Sequence, residues 1–164
     1  MLSAKVFLLN MRFLRFIIRR EVKIMEIYER RAFYHETDQM GVIHHANYLK
    51  WLEEARIRFM DKQGITYKSM EEAGIISPVV SISIEYKSPA KFDDIVIIET
   101  TLTRYTGSKF EFSYVIKDKE TGVIRVTAHS MHCFLKDGNI ISLKRSAQNF
   151  HKAFEDYVAS HQAL

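Results

Sequence analysis

The stretch Tyr34–Arg56, YHETDQMGVIHHANYLKWLEEAR, changes character at its midpoint. Its first half is acidic and turn-like, and its second half repeats apolar residues every three or four positions. Tyr48, Leu49, Leu52, Ala55, Phe59 and Met60 recur on that spacing, with Lys50, Glu53, Glu54, Arg58, Asp61 and Lys62 on the other side. This predicts one long amphipathic helix of about five turns, stopped by Gly64. A helix start leaves backbone N–H groups without internal partners and carries partial positive charge. Glu36, Asp38, His44 and His45 precede or open that helix, so the segment suggests chemistry on an electron-rich oxygen such as a carbonyl.

Upstream, EIYERRAFYHE alternates Ile27, Glu29, Arg31, Phe33 and His35 against Tyr28, Arg30, Ala32 and Tyr34, the two-residue period of a strand. Downstream, Thr66 is placed to cap a short helix that runs to Ala73 and ends at Gly74. The segments PVVSISIEYKS, DIVIIETTLTRY, KFEFSYVIK and VIRVTAHSMHCFL then read as strands. Asp137-Gly138 is a hairpin turn into NIISL. Ser146 is expected to cap a terminal helix carrying Phe150, Phe154, Tyr157 and Val158. The order is strand, long helix, then an antiparallel meander. An α+β fold follows, with a sheet of about five strands wrapped around one central helix.

The chain has 164 residues, 47% hydrophobic and 27% charged, enough for one domain with its own core. A single cysteine, Cys133, forms no internal disulfide and no zinc pattern, which favours a reducing compartment and a cytoplasmic location. The net charge of +4 is unevenly spread: six cations and Glu21 put +5 on residues 1–24, leaving −1 on residues 25–164. The body carries no basic stripe, so nucleic acid is not an expected partner. Residues 1–24 form a basic apolar leader ahead of a single domain over 25–164. Asn10, Arg12 and Arg15 interrupt its apolar run, so no transmembrane segment is expected. The reading for the leader is a poorly structured segment upstream of a start at Met11 or Met25; a basic amphipathic surface helix is the alternative.

The motif E-T-D-Q-M-G-V-I-H-H-A-N-Y, Glu36 to Tyr48, resembles the D-T-D-x-x-G-x-V-x-H-x-x-Y pattern of the hotdog-fold acyl-CoA thioesterases, in the branch of 4-hydroxybenzoyl-CoA thioesterase and the Tol-Pal-associated thioesterases. EYKSPAKFDD, Glu85 to Asp94, is similar to that family's strand and turn leading into the next strand, and the likeness covers about Met25 to Leu143. Glu36 stands where Asp is common, and His44 where an aromatic or aliphatic residue is usual. The resemblance implies hydrolysis of an acyl-CoA to a free acid and coenzyme A. On it, Asp38 is the nucleophile or general base, and the backbone N–H of His45 polarises the thioester oxygen. Gly41, His44 and Tyr48 belong to the substrate-binding surroundings. It implies no cofactor and no metal, and a homodimer or homotetramer, which also suits a sheet with open edges. The alternatives in other classes are a non-catalytic acyl-CoA binder, an acyl carrier protein thioesterase, and a hotdog dehydratase or isomerase.

Each residue also has a plainer reading. Asp38 suits a turn whether or not it is catalytic. Adjacent His44 and His45 are expected to point apart, which argues against a shared metal. His129 and His132 fall on opposite faces of one strand. Cys133 reads as a small buried hydrophobe. Glu53, eight residues past His45 and near the same face, is the rival catalytic acid, because another hotdog branch carries a glutamate on its central helix.

Overall fold

The alternation upstream of the turn becomes strand β1, Glu26–Arg31, in the computed structural model, which describes residues 25–162. The leader expected over residues 1–24 lies outside the described residues. One turn of 3-10 helix, Tyr34–Glu36, leads through the Asp38 turn to the long helix α1, His45–Lys62. Helix α1 has 18 residues and ends before Gly64, whose φ of 74° is the left-handed conformation a glycine adopts without strain. Helix α2, Tyr67–Glu72, is capped by the Thr66 hydroxyl, which accepts from the Ser69 N–H at 3.0 Å. Strands β2 (Val79–Tyr86), β3 (Ile95–Tyr105), β4 (Lys109–Asp118) and β5 (Ile124–Cys133) follow. Asp137-Gly138 turns a small hairpin between β6 (Leu135–Lys136) and β7 (Asn139–Ile140).

The five long strands form one antiparallel sheet in the order β1-β3-β4-β5-β2. Register sets one face of that sheet toward α1. Tyr28, Val96, Ile98, Phe110, Phe112, Ile116, Val126 and Ala128 point inward against Trp51, Leu52, Ala55, Phe59 and Met60 of the helix. Trp51, Phe59 and Phe112 are fully buried, so truncating any one of them to alanine should cost about 3–5 kcal/mol. The terminal helix packs across one end of this core, with the Phe154 ring stacked on Tyr105 at 4.5 Å and Tyr157 against Phe59 at 4.8 Å.

Two local expectations are corrected. Ser146 does not cap the terminal helix: it closes a short helix α3, Leu143–Ser146, and α4, Gln148–Gln162, begins beyond it. The cause is Ala147, whose φ of −159° breaks the helical path between them. On α1, Leu49 is 38% exposed although it falls on the apolar repeat, whereas Arg56 is only 4% exposed although it is charged. Leu49 faces the side of the helix beside the edge strand β2, whereas Arg56, further along, is covered where it meets His132 of β5. Strand β2 is a sheet edge, and its Val79, Val80, Ile82 and Tyr86 are all exposed.

Candidate active site

The Asp38 turn is a miniature hairpin. Thr37 pairs with Ile43, the Asp38 N–H donates to the Val42 carbonyl at 2.9 Å, and the Gly41 N–H donates to the Asp38 carbonyl at 3.0 Å. Gly41 has φ 71°, and a Cβ added there would meet nothing within 4 Å, so its requirement is conformational and not spatial. One oxygen of the Asp38 carboxylate, Oδ1, accepts from the Met40 N–H at 2.8 Å. Asp38 is therefore a turn former as well as the carboxylate nearest the helix entrance in sequence, and the turn orients its side chain.

The chain leaving this hairpin becomes α1 at once. His44 is the N-cap: its Nδ1 accepts from the Ala46 N–H at 3.3 Å and its carbonyl from the Asn47 N–H at 2.9 Å. The His45 N–H precedes these two and meets no acceptor among the described residues. An unpartnered N–H on the first turn of an 18-residue helix is a ready donor to a developing oxyanion. The rings of His44 and His45 do not point apart as expected. Their centroids are 4.2 Å from each other, because capping turns the His44 ring back over the helix start. Among the described residues no three His, Cys, Asp or Glu side chains gather as a metal site.

Tyr48 enters from beneath. It is buried, and its hydroxyl accepts from the Ala90 N–H at 2.9 Å, while the Ile43 N–H donates to the Ala90 carbonyl at 2.8 Å. The turn before β3 is thus clamped to both the hairpin and the helix. Burial raises the Tyr48 hydroxyl above its ordinary pKa. Tyr86, at the end of β2, donates its hydroxyl to the His45 carbonyl at 3.1 Å and closes the side of the helix start.

What holds the hairpin is a buried acid whose role sequence reading missed. Glu36 is 3% exposed and accepts from Arg30 at 2.6 and 2.8 Å, from the Phe33 N–H at 2.8 Å and from the Trp51 Nε1–H at 2.9 Å. Its carbonyl takes the His44 N–H and the Asn47 side-chain amide. Burial alone would push the Glu36 carboxyl up, but the Arg30, Phe33 and Trp51 hydrogen bonds outweigh it and hold the carboxyl at about 2. Arg30 also reaches Glu54, which accepts from the Tyr28 hydroxyl, so β1, the hairpin and α1 share one network. The R-x-x-x-x-x-E spacing of Arg30 to Glu36 carries no recognised signal, and only the paired fold shows it.

Of the other candidates, Glu53 is largely exposed, with its carboxylate 3.4 Å from Arg56. His129 is exposed and His132 is buried on the opposite face of β5, as expected. Cys133 is buried. No helix among the described residues is long and apolar enough to cross a membrane.

A helix wrapped by a five-stranded antiparallel sheet, with an acid-bearing turn folded against an open helix start, defines a hotdog-fold thioester hydrolase. Residues 34–152 match the thioesterase-like superfamily, and the chain belongs to that family. YneP of Bacillus subtilis, which carries the provisional name of an acyl-CoA thioesterase, is 36% identical over 124 residues, 74% of this chain and 89% of its own. The acyl-CoA thioester hydrolase YbgC of Escherichia coli is 28% identical over 94 residues, 57% of this chain and 70% of its own. Among solved structures, the DHNA-CoA thioesterase of Staphylococcus aureus superposes with a TM-score of 0.80 at 33% identity, covering 85% of this chain and 94% of that one.

Proposed function

We propose that this protein hydrolyses an acyl-CoA to a free acid and coenzyme A, with Asp38 as the acting carboxylate and the His45 N–H as the donor to the thioester oxygen. The observation that carries this reading is the hairpin that bonds Asp38 back onto the chain entering α1, whose first N–H has no acceptor among the described residues. Asp38 either attacks the carbonyl, expelling the coenzyme A thiolate and leaving an anhydride that water opens, or takes a proton from a water that attacks directly. In both routes negative charge builds on the carbonyl oxygen, where the His45 N–H and the helix dipole stabilise it. Gly41 lets the hairpin close, His44 caps the helix without using the His45 N–H, and Tyr48 fixes the floor; around the substrate they act by placing backbone.

Two copies pairing along the β2 edge would make a homodimer, or half of a homotetramer, and cover Val80, Ile82 and Tyr86. Such a pairing would turn the open strip between β2 and α1 into an acyl channel. The near-neutral body offers no evident docking face for an acidic carrier protein, which favours coenzyme A thioesters. The absence of a partner cysteine for Cys133 in the sequence supports a cytoplasmic setting.

The test is thiol release from short, long and aromatic acyl-CoAs beside the same acyl groups on acyl carrier protein. Turnover of at least one acyl-CoA faster than its carrier counterpart is the expected result. Binding of acyl-CoA with no thiol released would replace hydrolysis by a binding role.

A further inference from the structure

Arg56 and His132 lie in the core with no part in the site described above. Both are almost wholly buried, at 4% and 1% exposure. The Arg56 guanidinium donates to His132 Nδ1 at 2.6 Å. Arginine has no acceptor, so a neutral His132 carries its proton on Nε2 and donates to Ser130 Oγ at 2.7 Å. Ser130 in turn meets the Tyr114 hydroxyl at 3.0 Å. Desolvation, then the Arg56 charge, hold His132 down at about 3, so it remains neutral at ordinary pH.

The His132 ring also has the Pro78 carbonyl as an acceptor, whereas the Arg56 guanidinium is less well served. A buried guanidinium normally faces a buried carboxylate, but the nearest one, Glu53, reaches it only at 3.4 Å from an exposed side chain. The Arg56 guanidinium lies over the Tyr67 ring, 5.6 Å from its centroid. The Tyr67 and Ser77 hydroxyls lie beside each other, both buried, with only one another as a polar partner. A buried cation so weakly compensated is costly unless something else supplies an acceptor.

The cluster also terminates the open strip. Strand β2 starts with Val79 paired to His132 and ends with Tyr86 bonded to the His45 carbonyl. Between them Ile82 and Ile84 face the α1 side, opposite Ser130 and Ala128. On the helix, His45, Leu49 and Arg56 lie along the same flank, and Arg56 is about 16 Å of helix rise beyond His45. Helical side chains lean toward the N-terminus, which brings the guanidinium back to within about 10 Å of the helix start. The strip therefore runs from the proposed oxyanion donor, over exposed Leu49, Ile82 and Tyr86, to a buried cation.

We propose that Arg56, positioned by His132, is a specificity-determining residue that receives an oxygen acceptor at the far end of the acyl group, a carboxylate or a hydroxyl. This inference rests on the thioesterase reading for its near end. The acyl group would present an apolar body to Leu49, Ile82 and Tyr86 and an acceptor to Arg56, with Tyr67 and Ser77 as further donors. Glu53 would swing away to solvent as the acceptor arrives, which its exposure permits.

The experiment uses matched pairs that differ only at the far end: adipoyl-CoA against hexanoyl-CoA, and a hydroxynaphthoyl-CoA against naphthoyl-CoA. Binding is measured by calorimetry with the non-hydrolysable thioether analogues, and hydrolysis by thiol release from the thioesters. The wild-type protein is expected to bind the oxygen-bearing member of at least one pair about tenfold more tightly, and Arg56→Met to abolish that ratio. Arg56→Lys should restore part of it for the carboxylate, and His132→Gln should reduce it, which a purely structural role would not do. Preference for the carboxylate alone or the hydroxyl alone identifies the source. Equal binding of both members of both pairs by the wild type overturns the inference, even if Arg56→Met fails to fold. Selective binding of the analogues without hydrolysis of any thioester would keep this site and defeat the thioesterase reading instead.

Discussion

At the scale of single residues, the proposed chemistry depends on a carboxylate that is also a turn former. Asn at position 38 keeps the Oδ1 acceptor for the Met40 N–H but loses the charge, so Asp38→Asn separates the two roles. Gly41→Ala meets no steric obstacle, yet its φ of 71° would cost about 1–2 kcal/mol. We expect that variant to melt lower by a few degrees and to lose activity beyond its loss of stability, measured as kcat on the folded protein; unchanged kcat would show that the hairpin does not position Asp38. The turn over Asp38 to Gly41 and the helix start at His45 were legible in the sequence because a turn followed by a helical period is a local pattern, whereas the roles proposed for these residues come from the family motif. The capping role of His44 was not, since histidine is an unusual N-cap and its ring turns back only once the Glu36 carbonyl has taken its N–H.

At the scale of elements, Glu36 joins β1, the hairpin and α1. Its folded pKa of about 2 lies below the ordinary 4.5, so the folded state binds its proton less readily than the unfolded chain. The stabilisation is complete above the unfolded value and is lost as pH falls from about 4.5 toward 2. Its size is about 3 kcal/mol, and because Glu36 is buried, screening removes little of it. Glu36→Gln should therefore lower stability at neutral pH and flatten the acid limb between pH 4.5 and 2, read by urea unfolding at a series of pH values. An unchanged acid limb would show that the Arg30 bonds do not hold this carboxylate. Periodicity found every long strand and both early helices, but it could not reveal this network. Arg30 shares its side of the β1 alternation with Tyr28 and Ala32, but its partners Glu36 and Glu54 lie on other elements that only the fold brings beside it.

At the scale of the molecule, the open β2 edge and the buried Arg56–His132 pair make separate demands. If β2 is the pairing edge, Ile82→Lys should convert a dimer to a monomer in sedimentation at micromolar concentration; an oligomer of unchanged size would place the interface elsewhere. His132 has a folded value of about 3, below its ordinary 6.5, so the unfolded chain binds the proton more readily. Stability from the neutral ring is complete above pH 6.5 and declines as pH falls toward 3, a window that opens before that of Glu36. His132→Gln should remove the decline between pH 6.5 and 4.5, and an identical slope in wild type and variant would contradict a buried neutral ring. The hotdog wrapping was legible from element order and from the motif. The burial of Arg56 was not, because a charged residue on the i+4 repeat of an amphipathic helix reads as solvated until the sheet closes over it.

The most direct test of the central claim is kcat on the best acyl-CoA for the wild type, Asp38→Asn and Glu53→Gln, each shown to be folded. With Asp38 as the acting carboxylate, kcat falls at least about 100-fold in Asp38→Asn, the scale of a lost general base or nucleophile, and changes far less in Glu53→Gln. Near-wild-type turnover by Asp38→Asn, with the loss appearing in Glu53→Gln, would rule out Asp38 and move the acting carboxylate onto the helix.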